Sequence, residues 1–293
     1  MTRWTRANRL HAANLLRFGR NPAATVYDSL GPRPWAALSP GWLNLGLWTG
    51  DGDEAEAGAA VRRLVSTLAS ELPRDADVLD AGCGLGVQDA VIAETARPRR
   101  LIALNITLSQ LEAGRADLAL ADAAPLCADA CRLPLRSNSI DGLISVEAAF
   151  HFSSRSAFFT EAARVLRPRG ILSVSDVSAE RLPRTPGEVI AGAANLRFWG
   201  IRQRALASAS DITGQLRAAG FASVTVTSCG DRVIAPAVRA LDARVRGATE
   251  APRGQRLVAR AMLRGWTLLH RRGVMDYLLV KATAPGSATG DRD

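Results

Sequence analysis

The sequence predicts an α/β fold built on a mostly parallel sheet, because short apolar segments alternate with longer segments of helical periodicity. The segments 78–81 and 101–106 are largely apolar, as expected of parallel strands that helices cover on both faces. Each precedes a segment whose apolar residues recur every three or four positions. A glycine-rich turn at 82–86 joins the first strand to its helix. These observations indicate an open sheet whose ligand lies at the carboxyl ends of the strands.

Composition excludes several classes of protein. The chain has 293 residues, of which 47% are hydrophobic, so it can bury a large core and is not a disordered chain. Its net charge of +9 comes almost wholly from arginine, since Lys281 is the single lysine. The arginines are interspersed with Asp and Glu and not with aromatic residues, which disfavours nucleic-acid binding.

The cysteines and histidines do not predict a metal site. Cys83, Cys127, Cys131 and Cys229 match no zinc-binding spacing, and the three histidines lie far apart. We therefore expect reduced cysteines and no metal. No apolar run has transmembrane length, and the arginine-rich start lacks the apolar core of a signal peptide, so the expected location is cytoplasmic.

Three glycines occupy alternate positions in the turn after the first predicted strand. They are Gly82, Gly84 and Gly86, and they follow the acidic Asp80. Glycine permits a positive φ and leaves space for a ligand beside the backbone. A dinucleotide-binding G-x-G-x-x-G turn would need its third small residue at Val87, so the spacing disfavours that cofactor. The turn resembles motif I of the class I S-adenosylmethionine-dependent methyltransferases.

This resemblance covers about residues 44–283 and implies a Rossmann-like sheet of seven strands whose last strand is antiparallel. It implies S-adenosylmethionine as the cofactor, with the turn from Asp80 to Gly86, Cys83 included, against its methionine part. The expected organisation is an N-terminal helical cap and entry segment (1–59), a core (60–283) and a disordered tail (284–293). Cap insertions are expected at about 178–208 and 230–272.

The second strand ends where such methyltransferases commonly carry an acid that accepts both ribose hydroxyls of the cofactor. Asn105 stands at that position. An amide can accept from one hydroxyl and donate to another, without the charge-assisted bond. Thr107 and Gln110 resemble an S-x-x-Q pattern of natural-product methyltransferases and are expected to assist. Thr107 is also a candidate N-cap of the next helix, and the two roles are compatible.

The third and fourth strand regions resemble the same family. Asp129 and Ala130 begin the motif D-A-x-x-L-P, and Asp141 follows in the fourth strand. The resemblance implies that the Asp129 carboxylate accepts from the adenine amino group and that Ala130 donates from its backbone. Asp141 is expected to be structural.

His151 follows the fourth strand and is the predicted general base. At the carboxyl edge of the sheet, its imidazole could take a proton from a substrate hydroxyl near neutral pH. The alternative is a packed histidine between Phe150 and Phe152. Glu147 could orient His151, contact the cofactor or do neither.

The substrate-binding residues are expected in the caps. Residues 1–20 predict a basic amphipathic helix that packs on the core or, as the alternative, contacts an anionic membrane. Tyr27 and Trp48 lie in an entry segment whose phrase LNLGxW resembles that of small-molecule methyltransferases, and both could face the substrate. Trp199 lies in the first insertion, a predicted lid.

The predicted activity is methyl transfer from S-adenosylmethionine to a small molecule, with a hydroxyl oxygen of a secondary metabolite or lipophilic compound as the expected acceptor. Transfer to carbon or nitrogen, including an isoprenoid or lipid acceptor, and a cofactor-dependent cyclisation remain alternatives. The sequence specifies neither the acceptor nor the oligomeric state.

Overall fold

A seven-stranded sheet organises the chain in the computed structural model, which describes residues 37–201 and 206–286. The strand order is β3-β2-β1-β4-β5-β7-β6. β1 to β5 are parallel, and β7 pairs antiparallel with both β5 and β6. The predicted Rossmann-like sheet with an antiparallel last strand is thus confirmed. The strands are β1 (Asp77–Ala81), β2 (Arg100–Asn105), β3 (Ala123–Cys127), β4 (Ile140–Val146), β5 (Leu166–Ala179), β6 (Ser223–Ser228) and β7 (Met275–Thr283).

Helices cover both faces of this sheet. They are α1 (Ala57–Ala69), α2 (Asp89–Ala96), α3 (Leu108–Ala113), α4 (Arg115–Leu120), α5 (Arg155–Val165), α6 (Pro186–Phe198), α7 (Ala209–Ala218), α8 (Gly230–Gly247) and α9 (Arg253–Arg271). One core contains apolar residues of α1, α2 and α8, and the other contains those of α5 and α7. All five residues of β1 are buried, as expected of a central parallel strand.

The start of β5 differs from the prediction. The sequence of residues 164–170 predicts a turn before this strand, but β5 begins at Leu166, which pairs with Ile140. The pairing then shifts, so that Ile171 is opposite Gly142. The extra residues form an irregularity in which Arg169 has a φ of 64°. A bulge of this kind resembles a turn in sequence because Pro168 and Gly170 lie within it.

The segment after β2 also departs from the prediction. The apolar residues Leu111, Ala113 and Leu118 predict one helix, but the segment forms two short helices, α3 and α4, that meet at Gly114. Thr107 occupies the N-cap position of α3, but its side chain makes no capping hydrogen bond. Its predicted role as a side-chain cap is therefore wrong.

The two predicted insertions contain three helices. α6 lies in the first, where a lid loop was expected, and α8 and α9 form the second. Within the described ranges, none of the helices has the length and apolar content of a membrane span. The basic helix at 1–20, its membrane contact, Tyr27 and the tail beyond residue 286 lie outside the described residues. The domain boundaries and the cytoplasmic location stay predictions.

Candidate active site

A cleft opens at the carboxyl ends of β1, β2 and β4, the edge at which open α/β sheets bind ligands. Its walls are the segments that follow these strands and β3, together with residues 41–44 of the entry segment. Ten of the predicted site residues line it: Gly82, Cys83, Gly84, Asn105, Thr107, Gln110, Asp129, Ala130, Glu147 and His151. The fold therefore brings together residues that belong to separate sequence motifs.

The three glycines of the turn have different surroundings. All have positive φ values, of 92° for Gly82, 61° for Gly84 and 76° for Gly86. A Cβ on Gly82 would overlap Ala148, and one on Gly86 would overlap Leu118. A Cβ on Gly84 would enter the cleft, since its nearest neighbour would be Leu43 Cδ1 at 3.7 Å. Gly84 therefore offers the ligand-facing backbone, whereas Gly82 and Gly86 allow the turn to pack.

Asp80 lies beneath the turn and not on the cleft wall. Its side chain is fully buried, and Oδ2 accepts from Gln88 Nε2 at 2.5 Å. Burial raises the pKa of Asp80 to about 7. Asp89 is also buried, and burial and the nearby Asp80 raise its pKa well above the usual range. The placement revises the expectation that Asp80 itself contacts a ligand, because it can act on the cleft through Gln88.

Gln88 is a cleft residue that the sequence analysis did not identify. Its amide nitrogen donates a hydrogen bond to Asp80, so its amide oxygen remains available as an acceptor in the cleft. The only available signal was a polar residue immediately before the apolar face of α2. Asn44 of the entry segment also lines the cleft, and its Oδ1 accepts from Gly46 N at 2.9 Å.

Both polar atoms of the Asn105 side-chain amide make hydrogen bonds. Its Nδ2 donates to Gly84 O at 3.0 Å and to Gln110 Oε1 at 2.8 Å, while Oδ1 accepts from Thr107 N at 3.2 Å. The side chain is 7% exposed. An aspartate at this position would place its charge beside two acceptor oxygens. The local structure therefore explains why a neutral amide stands where an acid was expected.

Asp129 and Ala130 form the end of the cleft that follows β3. Asp129 Oδ1 accepts from Cys131 N at 2.9 Å, which fixes the orientation of the carboxylate. Ala130 is 2% exposed. Asp141 lies away from the cleft, where its Oδ2 accepts from Asp77 N at 2.8 Å and pairs with Arg167. The expected structural role of Asp141 agrees with this position.

Glu147 connects the entry segment to the sheet. Its Oε1 accepts from Leu45 N at 2.7 Å and from the Tyr277 hydroxyl at 2.8 Å. Its backbone has a φ of 49°, a conformation that is uncommon for residues other than glycine and often marks functional sites. Burial raises the pKa of Glu147 to about 7. The carboxylate thus accepts from two structural groups, which hold the entry segment over the cleft.

His151 ends a short 3-10 helix at 149–151 and lies on the cleft wall. Its ring centroid is 4.3 Å from that of Phe150. Burial of the imidazole lowers its pKa to about 3, so the ring is neutral throughout the physiological range. The neutral imidazole has a nitrogen lone pair, but burial makes it a weaker base than the ordinary pKa on which the prediction rested would give.

The predicted substrate-binding tryptophans do not line the cleft. Trp48 is 1% exposed and packs in the core that contains α1, and its Nε1 donates to Leu45 O at 2.8 Å. The expectation that it faces a substrate is therefore wrong. Trp199 follows α6, and its ring lies 6.0 Å from that of Trp266 on α9. It contributes to the packing between two cap helices.

Among residues 37–201 and 206–286, no three His, Cys, Asp or Glu side chains are grouped so that they could hold a metal ion. All four cysteines are free, and burial raises the pKa of the Cys83 thiol well above its usual range.

The sheet order, the glycine turn and the polar residues after β2 and β3 together define a class I S-adenosylmethionine-dependent methyltransferase. Residues 79–174 match a family described as Methyltransferase domain. The chain is 29% identical to the erythromycin 3''-O-methyltransferase of Saccharopolyspora erythraea over 231 residues. This alignment covers 73% of this chain and 72% of the relative. It is 32% identical to the 27-O-demethylrifamycin SV methyltransferase of Amycolatopsis mediterranei, over 61% of this chain and 66% of that one.

Solved structures share the fold. The cyclopropane synthase MmaA2 of Mycobacterium tuberculosis superposes with a TM-score of 0.76 at 17% identity, over 91% of this chain and 99% of that one. At this identity the likeness establishes the fold and not the reaction. The chain is an S-adenosylmethionine-dependent methyltransferase of the small-molecule group, as the sequence predicted.

Proposed function

We propose that this protein methylates a hydroxyl oxygen of a small, largely apolar acceptor. The observation that carries the proposal is the position of His151, a neutral imidazole on the wall of the same cleft as the glycine turn. A hydroxyl oxygen becomes a better nucleophile as its proton is removed, whereas an amine acceptor would need little help from a base. The cleft thus contains a candidate base, which methyl transfer to oxygen needs more than methyl transfer to nitrogen does.

The cleft residues fit the cofactor's parts. Gly84 provides backbone without a side chain, which suits close approach of the methionine part. Gln110 retains its Nε2 as a donor because its Oε1 accepts from Asn105, so ribose hydroxyls could bind between Gln110 Nε2 and Asn105 Oδ1. Asp129 has a carboxylate oxygen that can accept from the adenine amino group. Each of these assignments is a proposal that binding measurements can test.

The proposed role of His151 is to remove the proton of the acceptor hydroxyl. When bound, the cofactor supplies an electrophilic methyl group on a positively charged sulfur. His151 would take up the proton of the acceptor hydroxyl as the methyl group is transferred. The imidazole would then carry the positive charge that the cofactor gives up, so the buried cleft would keep its net charge. This matters because creating an additional charge at a buried site is costly.

The remaining contribution of the protein is alignment. Transfer requires the acceptor oxygen, the methyl carbon and the sulfur to lie in line, and exclusion of water strengthens the polar interactions in the site. The entry segment closes one side of the cleft through Leu43 and Asn44, and Glu147 holds that segment to β7. Phe152 provides apolar surface beside His151. We infer an acceptor with an apolar body, comparable to the natural products for which the relatives are named.

A methyl-transfer assay tests the proposal. The purified protein is incubated with labelled S-adenosylmethionine and a panel of hydroxylated macrolides and related natural products, and products are identified by mass spectrometry and NMR. A methyl ether formed by wild-type protein, and formed at least about 100-fold more slowly by His151→Ala, is expected. Methylation at carbon or nitrogen would overturn the oxygen assignment and leave the cofactor site intact.

A further inference from the structure

Helix α6 buries polar residues and exposes apolar ones. Its two fully buried residues are polar, Glu188 at 2% exposure and Asn195 at 8%. Its outward face carries Val189 at 53% and Ile190 at 70%, followed by other exposed apolar residues, Ala193 and Ala194. A helix that only covered a core would turn its apolar side inward. The apolar side of α6 therefore faces outward for another reason.

The orientation of α6 is fixed by the polar contacts on its inner side. Glu188 accepts from both terminal nitrogens of Arg181, at 2.9 and 3.1 Å, and completes a capping box with Thr185. Arg181 also donates to Arg272 O at 2.7 Å, beyond the end of α9. On the opposite helix, Gly265 allows close approach to Asn195. The helix cannot turn its apolar face inward without breaking these bonds.

Exposed apolar residues are concentrated in the caps. Of the nine large hydrophobic residues that are exposed in the described part of the chain, six lie within 178–208 and 230–272: Leu182, Val189, Ile190, Leu206, Leu257 and Val258. Leu182, at 76%, precedes α6, and Leu257 and Val258 lie in the N-terminal half of α9. Single exposed hydrophobic residues are ordinary, but such a concentration indicates a contact surface.

The charges beside this surface are almost all positive. Helices α6 and α9 contain six arginines, namely Arg197, Arg253, Arg256, Arg260, Arg264 and Arg271. Their only acidic residue is Glu188, which is buried and paired with Arg181. Arg260 pairs with Asp242 on α8, whereas Arg253, Arg264 and Arg271 are exposed. Long basic side chains around an apolar strip match an anionic lipid surface.

We propose that the outward face of α6, together with the exposed arginines of the adjacent α9, docks on an anionic lipid bilayer. Val189 and Ile190 enter the boundary between headgroups and acyl chains, and the exposed arginines contact the lipid phosphates. A protein partner is the less favoured occupant, because the charged residues of α6 and α9 are almost all arginines, which match the phosphates of an anionic bilayer. The proposal concerns a surface and does not depend on the acceptor atom.

Vesicle sedimentation with the full-length protein tests this docking. Wild type is compared with Val189→Asp/Ile190→Asp, with Arg253→Glu/Arg264→Glu and with Leu120→Asp as the control. Leu120 is 84% exposed on α4, outside the proposed surface. Vesicles contain phosphatidylcholine alone or mixed with phosphatidylglycerol, at low and high salt. Circular dichroism and thermal unfolding verify that the variants are folded.

Wild type and Leu120→Asp are expected to sediment with the anionic vesicles at low salt and to be released at high salt. Each double variant is expected to lose about tenfold or more in partition coefficient. Failure of wild type to bind anionic vesicles would overturn the proposal. Equal binding by Val189→Asp/Ile190→Asp would also overturn it, and would place any lipid contact elsewhere, such as residues 1–20. A dimer that dissociates in this variant, without vesicle binding, would assign the surface to a second copy of the chain.

Discussion

The Asn105 side-chain amide donates to Gln110 Oε1 at 2.8 Å, and this bond sets the hydrogen-bonding character of the cleft next to β2. Because Gln110 uses its oxygen on Asn105, its amide hydrogens point to other partners. Asn105 also donates to Gly84 O, so one residue connects the glycine turn to α3. The neutral amide thus performs a structural task that a carboxylate could not, since a carboxylate has no hydrogen to donate.

Replacing Asn105 with aspartate should therefore weaken cofactor binding, although an acid is common at this position in the family. The change removes two hydrogen bonds and sets a negative charge against Gly84 O and Gln110 Oε1. We expect the affinity for S-adenosylmethionine to fall about tenfold, a cost of about 1.4 kcal/mol. Isothermal titration calorimetry measures this. The double variant Asn105→Asp/Gln110→Lys supplies a donor and a positive charge and should recover part of the loss; tighter binding by Asn105→Asp alone would contradict the explanation.

Asp80 should make stability depend on pH in a defined direction. Burial raises its pKa to about 7 from an ordinary value of 3.8, so the folded state binds the proton more tightly than the unfolded state. This contribution to stability is complete below about pH 4 and is lost as the pH rises through 7. Asp80→Asn keeps an acceptor for Gln88 and cannot ionise. Relative to wild type, its free energy of unfolding from urea titration should improve between pH 5 and pH 8 by roughly 2–3 kcal/mol. Parallel curves for the two proteins would contradict the assignment.

The Glu147 carboxylate should matter for cofactor binding through its oxygen and not through its charge. Glu147→Gln retains an acceptor for Leu45 N and Tyr277 Oη, so we expect an affinity within about threefold of wild type. Glu147→Ala leaves both donors without their acceptor and should release the entry segment, with a loss of about tenfold or more. Calorimetry with S-adenosylmethionine distinguishes the two variants. Equal losses would show that charge is required instead.

His151 should affect turnover much more than binding. Its pKa of about 3 means that the imidazole stays neutral from pH 5 to pH 9, so the rate should show no acid limb near 6.5 from this residue. His151→Ala should lower kcat by about 100-fold with little change in the KM for the cofactor. Initial rates across pH measure both expectations. Unchanged turnover would remove His151 as the base, because positioning alone would then account for the activity.

The mostly parallel sheet and most cleft residues were predictable because their signals are local. A strand, a three-glycine turn and a helix follow each other within 20 residues, and Asp129 and His151 lie within five residues of the ends of strands. Carboxyl ends of parallel strands meet at one edge of a sheet, so these residues had to converge. The bonds that orient them could not be predicted, because they join distant positions. Glu147 and Tyr277, for example, are 130 residues apart.

The wrong expectations have a similar physical origin. Trp48 lies in a segment that does line the cleft, but its own side chain points into the core, and sequence does not specify the direction of a side chain in irregular backbone. Asp80 is adjacent in sequence to the turn and lies beneath it. Helix α6 was not predicted because its apolar residues do not follow a single face: Val189 and Ile190 are exposed, whereas Glu188 and Asn195 are buried.

Titration of S-adenosylmethionine into wild type and Gly84→Ala is the most direct test of the cofactor site. A methyl group on Gly84 would enter the cleft, where its nearest protein atom is Leu43 Cδ1 at 3.7 Å, and the positive φ adds a strain of about 1–2 kcal/mol. Gly214→Ala on α7, where a Cβ would meet no atom within 4 Å, is the matched control. We predict micromolar-range binding, on the order of 1–100 μM, by wild type and Gly214→Ala, and a loss of about tenfold or more in folded Gly84→Ala. No binding by wild type, or equal binding by all three, would contradict the placement of the cofactor at the glycine turn.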